Sequence, residues 1–252
     1  ISLGLVGSEM CIRDSIKPEK FDLIFTALES DDAKVVEPKF AKSTPVISTA
    51  AAFRYEDDVP ILIPGINDGH AELLNVQRKN RGWKGFIAPL PNCTTTGMAI
   101  TLKPIQDKFG IEKVIMTSMQ ALSGAGRSPG VIALDIIDNF IPYIPKEEEK
   151  VQVETKKILG SMNNGTITST SFRVSCTCTR VPVIDGHTET VFVETGKAAE
   201  AEDVKEEMLK FSRNVSIKNL PTAPKDYIIV HDDPTRPQPR IDREINDGMT
   251  TV

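Results

Sequence analysis

Cys93 carries the first hint of chemistry in this chain. It lies in Pro91-Asn92-Cys93-Thr94-Thr95-Thr96, at the entrance to a segment where Met98, Ala99, Leu102, Ile105 and Phe109 recur at helical spacing and Gly110 supplies a stop. A thiol in a first helical turn faces unpaired backbone N–H groups and the positive end of the helix dipole. Both favour thiolate over thiol, and the thiolate is the nucleophile. The position is therefore expected to stabilise a thiolate. The bland alternative is a small buried cysteine beside a capped helix, since free cysteine is among the most buried residues.

Three later segments carry polar residues that a packed core does not ask for. The strand-like run 114–120 ends in Gln120 and gives way to Ser123-Gly124-Ala125-Gly126, a glycine-rich turn whose backbone can approach a ligand closely. Arg180-Val181-Pro182-Val183-Ile184-Asp185-Gly186-His187 joins two strand candidates, 171–179 and 190–194, and such loops commonly carry function. Glu147-Glu148-Glu149-Lys150 opens a helix expected to run to Leu159 and close at Gly160. Acids in a first turn suit the dipole, so a solvated charged face is the plain reading of that segment.

A cysteine paired with a histidine suggests nucleophilic catalysis: a thiolate attacks an acyl carbon while an imidazole handles the proton. Of the three histidines, His70 and His231 lie in plain polar surroundings and His187 lies in the functional loop. Arg180 is more specific, because its planar fork recognises a carboxylate or phosphate bidentately. These residue types point to a thiol acyl-transfer enzyme acting on a small anion.

Taken together, these segments resemble the aspartate-semialdehyde dehydrogenase family, and in particular its archaeal and fungal branch. The resemblance runs from about Phe21 to Val252. It rests on Phe21-Asp22-Leu23-Ile24-Phe25-Thr26-Ala27-Leu28, Asp58-Val59-Pro60-Ile61-Leu62-Ile63-Pro64, Pro91-Asn92-Cys93-Thr94-Thr95, Met119-Gln120-Ala121-Leu122-Ser123-Gly124, Val183-Ile184-Asp185-Gly186-His187-Thr188-Glu189 and Arg236-Pro237-Gln238-Pro239-Arg240. The resemblance implies an NADP-dependent enzyme that reduces an acyl phosphate to an aldehyde through a cysteine thioester. It further implies Cys93 as nucleophile, His187 as acid/base and Gln120 as the residue orienting the acyl group. Arg180 would bind the substrate α-carboxylate and Glu147 its ammonium group. Asn92, Lys150 and Arg54 would hold phosphate, and Ser123, Gly124 and Thr49 would meet the cofactor. Glu147 and Lys150 share a helix face at i, i+3, so a zwitterionic phosphorylated substrate can meet both charges.

Two stretches depart from the family pattern. Ser48-Thr49-Ala50-Ala51-Ala52 stands where relatives show Ser-Asn-x-Ser-Ala, and Pro64-Gly65-Ile66-Asn67 replaces Pro-Glu-(Ile/Val)-Asn. Residues 1–15 resemble a translated sequencing-adapter segment and are expected to be a non-native leader, with the phosphate-cradling glycine loop missing. The expected fold is α/β: an incomplete Rossmann-like, doubly wound nucleotide-binding domain over 16–92, then an α+β catalytic and dimerisation domain over 93–252 that lacks its native C-terminus. Within the first, strands are expected at 23–27, 45–48, 61–63 and 85–88, and helices at 31–42 and 68–79. The apolar run 131–144, with Phe140, Ile141, Tyr143 and Ile144, is either core or subunit interface, and 248–252 is expected to be a strand.

Composition narrows the rest. The net charge of −5 argues against nucleic acid, and no apolar stretch approaches the roughly 20 residues that span a bilayer. Cys176 and Cys178 share a strand face without a ligand set that completes a zinc site, so no metal is expected. Four cysteines in a thiolate enzyme suit a reducing cytoplasm. The expected partners are a small-molecule substrate and further copies of the chain, as a dimer or tetramer. Within the same fold class a malonyl-CoA reductase is the nearest alternative, although Asn92 and Glu147 favour an aspartyl substrate, and another relative reduces N-acetylglutamyl phosphate. From other classes, a Cys/His thiol hydrolase and a catalytically dead interaction protein remain.

Overall fold

The computed structural model describes residues 16–125 and 132–252. The expected leader 1–15, together with Gly126 and Val131, lies outside the described residues. The chain divides into two compact units, Ile1–Val59 with Glu72–Leu90, and Pro60–Ala71 with Pro91–Val252. The division does not follow chain order, because Pro60–Ala71 belongs with the second unit.

In the first unit, β1 (Ile24–Thr26), β2 (Val46–Ser48) and β3 (Ile87–Pro89) form a parallel sheet in that order, with Ile24 paired to Val46 and Val46 to Ile87. Parallel neighbours need a crossover, and α1 (Ser30–Ala41) supplies the one between β1 and β2. Its Val36, Phe40 and Ala41 pack with Val46, Val59 and Ile87 into one apolar cluster. Glu37 ties the helix to the carboxyl ends of both strands, accepting from Thr26 Oγ1 and Ser48 Oγ at 2.6 Å each. Gln77 of α2 (Leu73–Arg81) clamps β3 with both halves of its amide: Nε2 donates to Ile87 O at 3.0 Å and Oε1 accepts from Ile87 N at 2.7 Å. The result is a Rossmann-like α/β fold.

The second unit is built on α3 (Cys93–Phe109) and β4 (Ile111–Gln120), joined through Gly110. Met98, Leu102, Ile105 and Phe109 form one core with Val114 and Met116 of the strand. β4 is the centre of a mixed sheet, parallel to β7 (Arg173–Arg180) and antiparallel to β8 (Thr188–Thr195). The described chain between β4 and β7 forms α4 (Ile132–Ile136), α5 (Glu147–Ile158) and the hairpin β5 (Ser161–Asn163) with β6 (Thr166–Thr168). α6 (Ala201–Asn214) and the short α7 (Pro239–Asp242) complete the unit.

Several expectations need correction. Residues 61–63 form no strand, although Ile61 and Ile63 are buried in the core of the second unit. Pro60 and Pro64 bracket the segment without N–H donors. Its ladder partner is the Asn67 side chain instead, which donates to Ile61 O at 2.8 Å and accepts from Ile63 N at 2.9 Å. The helix expected at 68–79 begins as a 3₁₀ turn, Asp68–Glu72, before α2. In place of a strand at 248–252 there is a 3₁₀ turn, Ile245–Gly248, and a single bridge from Thr251 to Ile228. Along 134–144, Ile136 is buried whereas Phe140 and Tyr143 are about half exposed, at 51% and 53%. Gly65, which replaces a family glutamate, has φ of +86°, and a Cβ added there would lie 2.4 Å from Val215 Cγ2. A side chain at this position would be strained by the backbone and would require Val215 to shift.

Candidate active site

Asn92 begins the site by capping α3, its Oδ1 accepting from Thr95 N at 3.1 Å. The cap makes Cys93 the first helical residue; part of the residue is exposed, and it lines the cavity described below. Parallel pairing of β4 with β7 places Gln120 opposite Arg180 at the ends of both strands. Beyond that pair the two loops continue to match, with Leu122 N donating to Val183 O at 2.8 Å and Ser123 N to Ile184 O at 3.0 Å. This second pairing brings His187 back alongside Ala121.

Ala121 is the hub of this side. Its carbonyl accepts from Arg180 Nη1 at 2.8 Å, and its N–H faces His187 Nδ1 at 3.1 Å. A backbone N–H can only donate, so Nδ1 must accept, and the neutral ring then carries its hydrogen on Nε2. That Nε2 stands 3.2 Å from Cys93 Sγ. The imidazole is therefore set to donate toward the sulfur. Burial pulls the His187 pKa below its ordinary value, Arg180 adds to the effect and Glu147 opposes it.

Glu147, in the first turn of α5, is the hub of the other side. It accepts from Asn92 Nδ2 at 2.7 Å, from Gln120 Nε2 at 3.3 Å and from Lys150 Nζ at 3.3 Å. Burial works against its charge, yet the Asn92 amide, Lys150 and Gln120 together hold its carboxyl below the usual range. Burial likewise pulls the Arg180 guanidinium down, with Cys93 and Glu147 pulling the other way, but an arginine stays charged.

The expected thiolate stabilisation at Cys93 is not the outcome in the free protein. Burial raises the thiol pKa and the Glu147 carboxylate raises it further. The backbone N–H groups of Thr94 and of Cys93 itself act in the expected direction and are outweighed. Cys93 and His187 accordingly rest as a neutral thiol beside a neutral imidazole.

Cys93, Gly97, Ser123, Gly124, His187 and Glu189 are among the residues lining a cavity of about 530 Å³. Gly124 is required by crowding, since a Cβ there would stand 2.9 Å from His187 Cε1 and 3.1 Å from Arg180 Nη1. The remaining expected residues lie in the first unit, where Arg54 is buried and its Nη2 donates to Thr49 O at 3.1 Å. Cys176 and Cys178 are free and buried on one face of β7. Among the described residues, no His, Cys, Asp and Glu cluster is arranged to hold a metal ion, and no helix is long and apolar enough to cross a membrane.

Residues 102–251 match the family model described as semialdehyde dehydrogenase, dimerisation domain, and residues 5–74 match that described as semialdehyde dehydrogenase, NAD binding domain. The chain is 46% identical over 231 residues to the aspartate-semialdehyde dehydrogenase of Methanothermobacter thermautotrophicus, an alignment covering 92% of this chain and 66% of that protein. It is 42% identical over 250 residues to the Candida albicans enzyme of the same name, covering 92% of this chain and 68% of the relative. The chain belongs to the aspartate-semialdehyde dehydrogenase family. A crystal structure of the Candida albicans family member with NADP matches with a TM-score of 0.80 at 39% identity, over 88% of this chain and 65% of that one. The chain thus spans about two thirds of the length of these relatives.

Some of what builds this family site escapes a reading by residue type. Ala121 contributes only its backbone, which leaves no mark in a sequence. Ser118, which accepts from Gln120 Nε2 at 3.2 Å, sits two residues earlier on the same face of β4 and is visible only as strand periodicity. Glu154 follows Glu147 by seven residues, two helical turns, so its place on the same face of α5 was legible once the helix was drawn.

Proposed function

We propose that this chain is the larger part of an enzyme that reduces L-aspartyl 4-phosphate to L-aspartate 4-semialdehyde with NADPH, releasing phosphate, on the way to lysine, threonine and methionine. The observation that carries the proposal is the approach of Cys93 Sγ to His187 Nε2 at 3.2 Å, with the ring held by the Ala121 N–H. Cys93 Sγ bonds to the acyl carbon as the bond from that carbon to the phosphate oxygen breaks, and phosphate leaves with the electron pair. The Cys93 thiol first gives its proton to water, since His187 Nε2 already carries a hydrogen; that Nε2–H then stabilises the thiolate before attack and again when the carbon–sulfur bond breaks to free the aldehyde. Arg180 takes the α-carboxylate, Glu147 the ammonium group, and Gln120 orients the acyl carbon. Asn92 and Lys150 hold phosphate, and Arg54 is the phosphate ligand expected from the family resemblance.

The donor set also suits a nicotinamide. Ser123 and Gly124 line a cavity wall near Cys93, and burial pushes the Glu189 carboxyl up to about 8, so at neutral pH it offers one O–H and one C=O to a carboxamide. When bound, NADPH supplies the hydride to the thioester. Thr49 would contact the cofactor from the first unit.

The parent enzyme is proposed to act in the cytoplasm as a dimer or tetramer. The matched dimerisation domain supports a homo-oligomer, as do Ile115 and Phe192, a cross-strand pair exposed at 48% and 62% on one sheet face. Incubation with β-aspartyl phosphate should add the aspartyl mass to the Cys93 peptide and to no peptide of Cys93→Ala. Absence of an adduct would reject the proposal. An adduct from malonyl-CoA alone would move the chain to the neighbouring reductases.

A further inference from the structure

Two carboxyl groups on one face of α5 reach the residue that precedes the nucleophile. Glu147 holds the side chain of Asn92, as described above. Glu154, two turns later, accepts the backbone N–H of the same residue, Asn92 N to Glu154 Oε2 at 2.7 Å. Glu154 is fully buried and belongs to the second unit. The N–H of an N-cap residue lies outside the helical ladder, so it needs a partner when it is buried. Any oxygen would satisfy that need. This one comes from the helix that also carries Glu147.

We infer that Glu154 is a positioning residue for Cys93: by fixing the Asn92 N–H while Glu147 fixes the Asn92 amide, it sets the orientation of the α3 entrance and so holds Sγ in reach of His187 Nε2. Asn92 is pinned at three points, its N–H by Glu154, its Nδ2 by Glu147 and its Oδ1 by Thr95 N. Removing the side-chain anchors would leave the cap free to shift, but removing the backbone anchor lets the peptide plane itself rotate. That plane joins Pro91 to Asn92, so its rotation changes φ of Asn92 and with it the direction in which Cys93 follows. The Nε2–H contact of His187 depends on a sulfur held within about 3.5 Å, and a small displacement is enough to lose it.

The proposal rests on Cys93 being the nucleophile, and the test separates the two. The rate of Cys93 alkylation by iodoacetamide, located by mass spectrometry, is measured well below each variant's melting temperature. Glu154→Gln keeps an acceptor and should stay within about twofold of the parent, whereas Glu154→Met keeps the volume without the acceptor and should slow by about fivefold, the worth of one net hydrogen bond. Combining Glu154→Met with His187→Asn should add nothing to the loss from His187→Asn alone, because both break the same contact. A Glu154→Met rate equal to the parent's overturns the proposal, leaving Glu154 a purely structural partner. A Gln variant as slow as the Met variant overturns it too, by making charge rather than the hydrogen bond responsible. If Glu154→Met does not fold, Glu154→Asp retracts the acceptor by one methylene and must show a loss of the same sign. A Cys93 alkylation rate unchanged by His187→Asn would instead sink the reading of the Cys93–His187 contact, and this inference with it.

Discussion

The Ala121 N–H points at Nδ1 of His187 across 3.1 Å, and this single contact decides which way the imidazole can move a proton. A ring with Nδ1 already accepting has its hydrogen on Nε2, toward Cys93. Protonating Nδ1 would set two donors against each other, which adds to the burial that already lowers the His187 pKa. The first prediction is that ¹⁵N spectra show His187 as the Nε2–H tautomer and still neutral at pH values where a free histidine, near 6.5, is half protonated. The sign for stability follows: the unfolded chain takes up this proton first, so the contribution is present above the ordinary value and is lost as pH falls below it. A His187 that titrates at or above the ordinary value would contradict the assignment.

Arg180 should discriminate between a fork and a point charge. Its guanidinium already spends Nη1 on the Ala121 carbonyl. An ammonium in Arg180→Lys cannot keep that bond and also meet both oxygens of a carboxylate. The expected result is a rise in KM for the aspartyl substrate of roughly tenfold or more, with a smaller change in kcat. Equal KM values would remove Arg180 from the carboxylate site.

Glu189 should make the fold sensitive to alkali. Burial lifts its carboxyl to about 8, with Cys178 a lesser cause. A raised carboxyl contributes its full stability below the unfolded value of about 4.5 and loses it as pH rises through about 8. Glu189→Gln keeps the shape and cannot ionise. Its melting temperature should therefore gain on the parent's between pH 5 and about pH 8 and level off above that, and parallel curves would refute the shift.

His70 should respond in the opposite direction. It is buried, with Nδ1 facing Asn67 Nδ2 at 3.1 Å and Nε2 facing Gly160 O at 3.1 Å, which links residues 60–71 to the end of α5. Burial lowers its pKa, so its contribution stands above the ordinary value of 6.5 and fades as pH falls. His70→Ala takes one partner from Asn67 Nδ2, which keeps Ile61 O, and one from the half-buried Gly160 O, and should cost roughly 1–3 kcal/mol, a melting temperature lower by roughly 2–12 °C at pH 7.5. It should also flatten the acid side of the stability curve. A variant with the parent's acid dependence would assign that dependence elsewhere.

How much of this was legible in the residues can be judged element by element. The start of α3 was, because the Asn92 cap, the helical apolar spacing and the Gly110 stop are all local signals. So were β4, β7 and β8, since alternation and loop residues mark strands within a few positions. The strand expected at 61–63 failed because its apolar residues are buried by the core while its hydrogen bonds go to Asn67, and periodicity reports burial alone. The compact units were not legible in chain order, because Pro60–Ala71 crosses between two stretches of the first unit.

By itself, the sequence determined which chemistry was available: a thiol at a helix entrance, an imidazole and a guanidinium on one loop, and an acid and a base on one helix face. Those are properties of residue type and of spacing within a turn or two. Only the tertiary structure decided what each group does. The Cys93 thiol is pushed up by burial and by Glu147, which lies 54 residues away in the chain. His187 owes its tautomer to a backbone N–H that 66 residues separate from it, and the Asn92 N–H depends on Glu154 from 62 residues away. Electrostatics and hydrogen bonds act over a few ångströms of space, and the pairing of β4 with β7 and the packing of α5 beside Asn92 convert long separations in the chain into such distances.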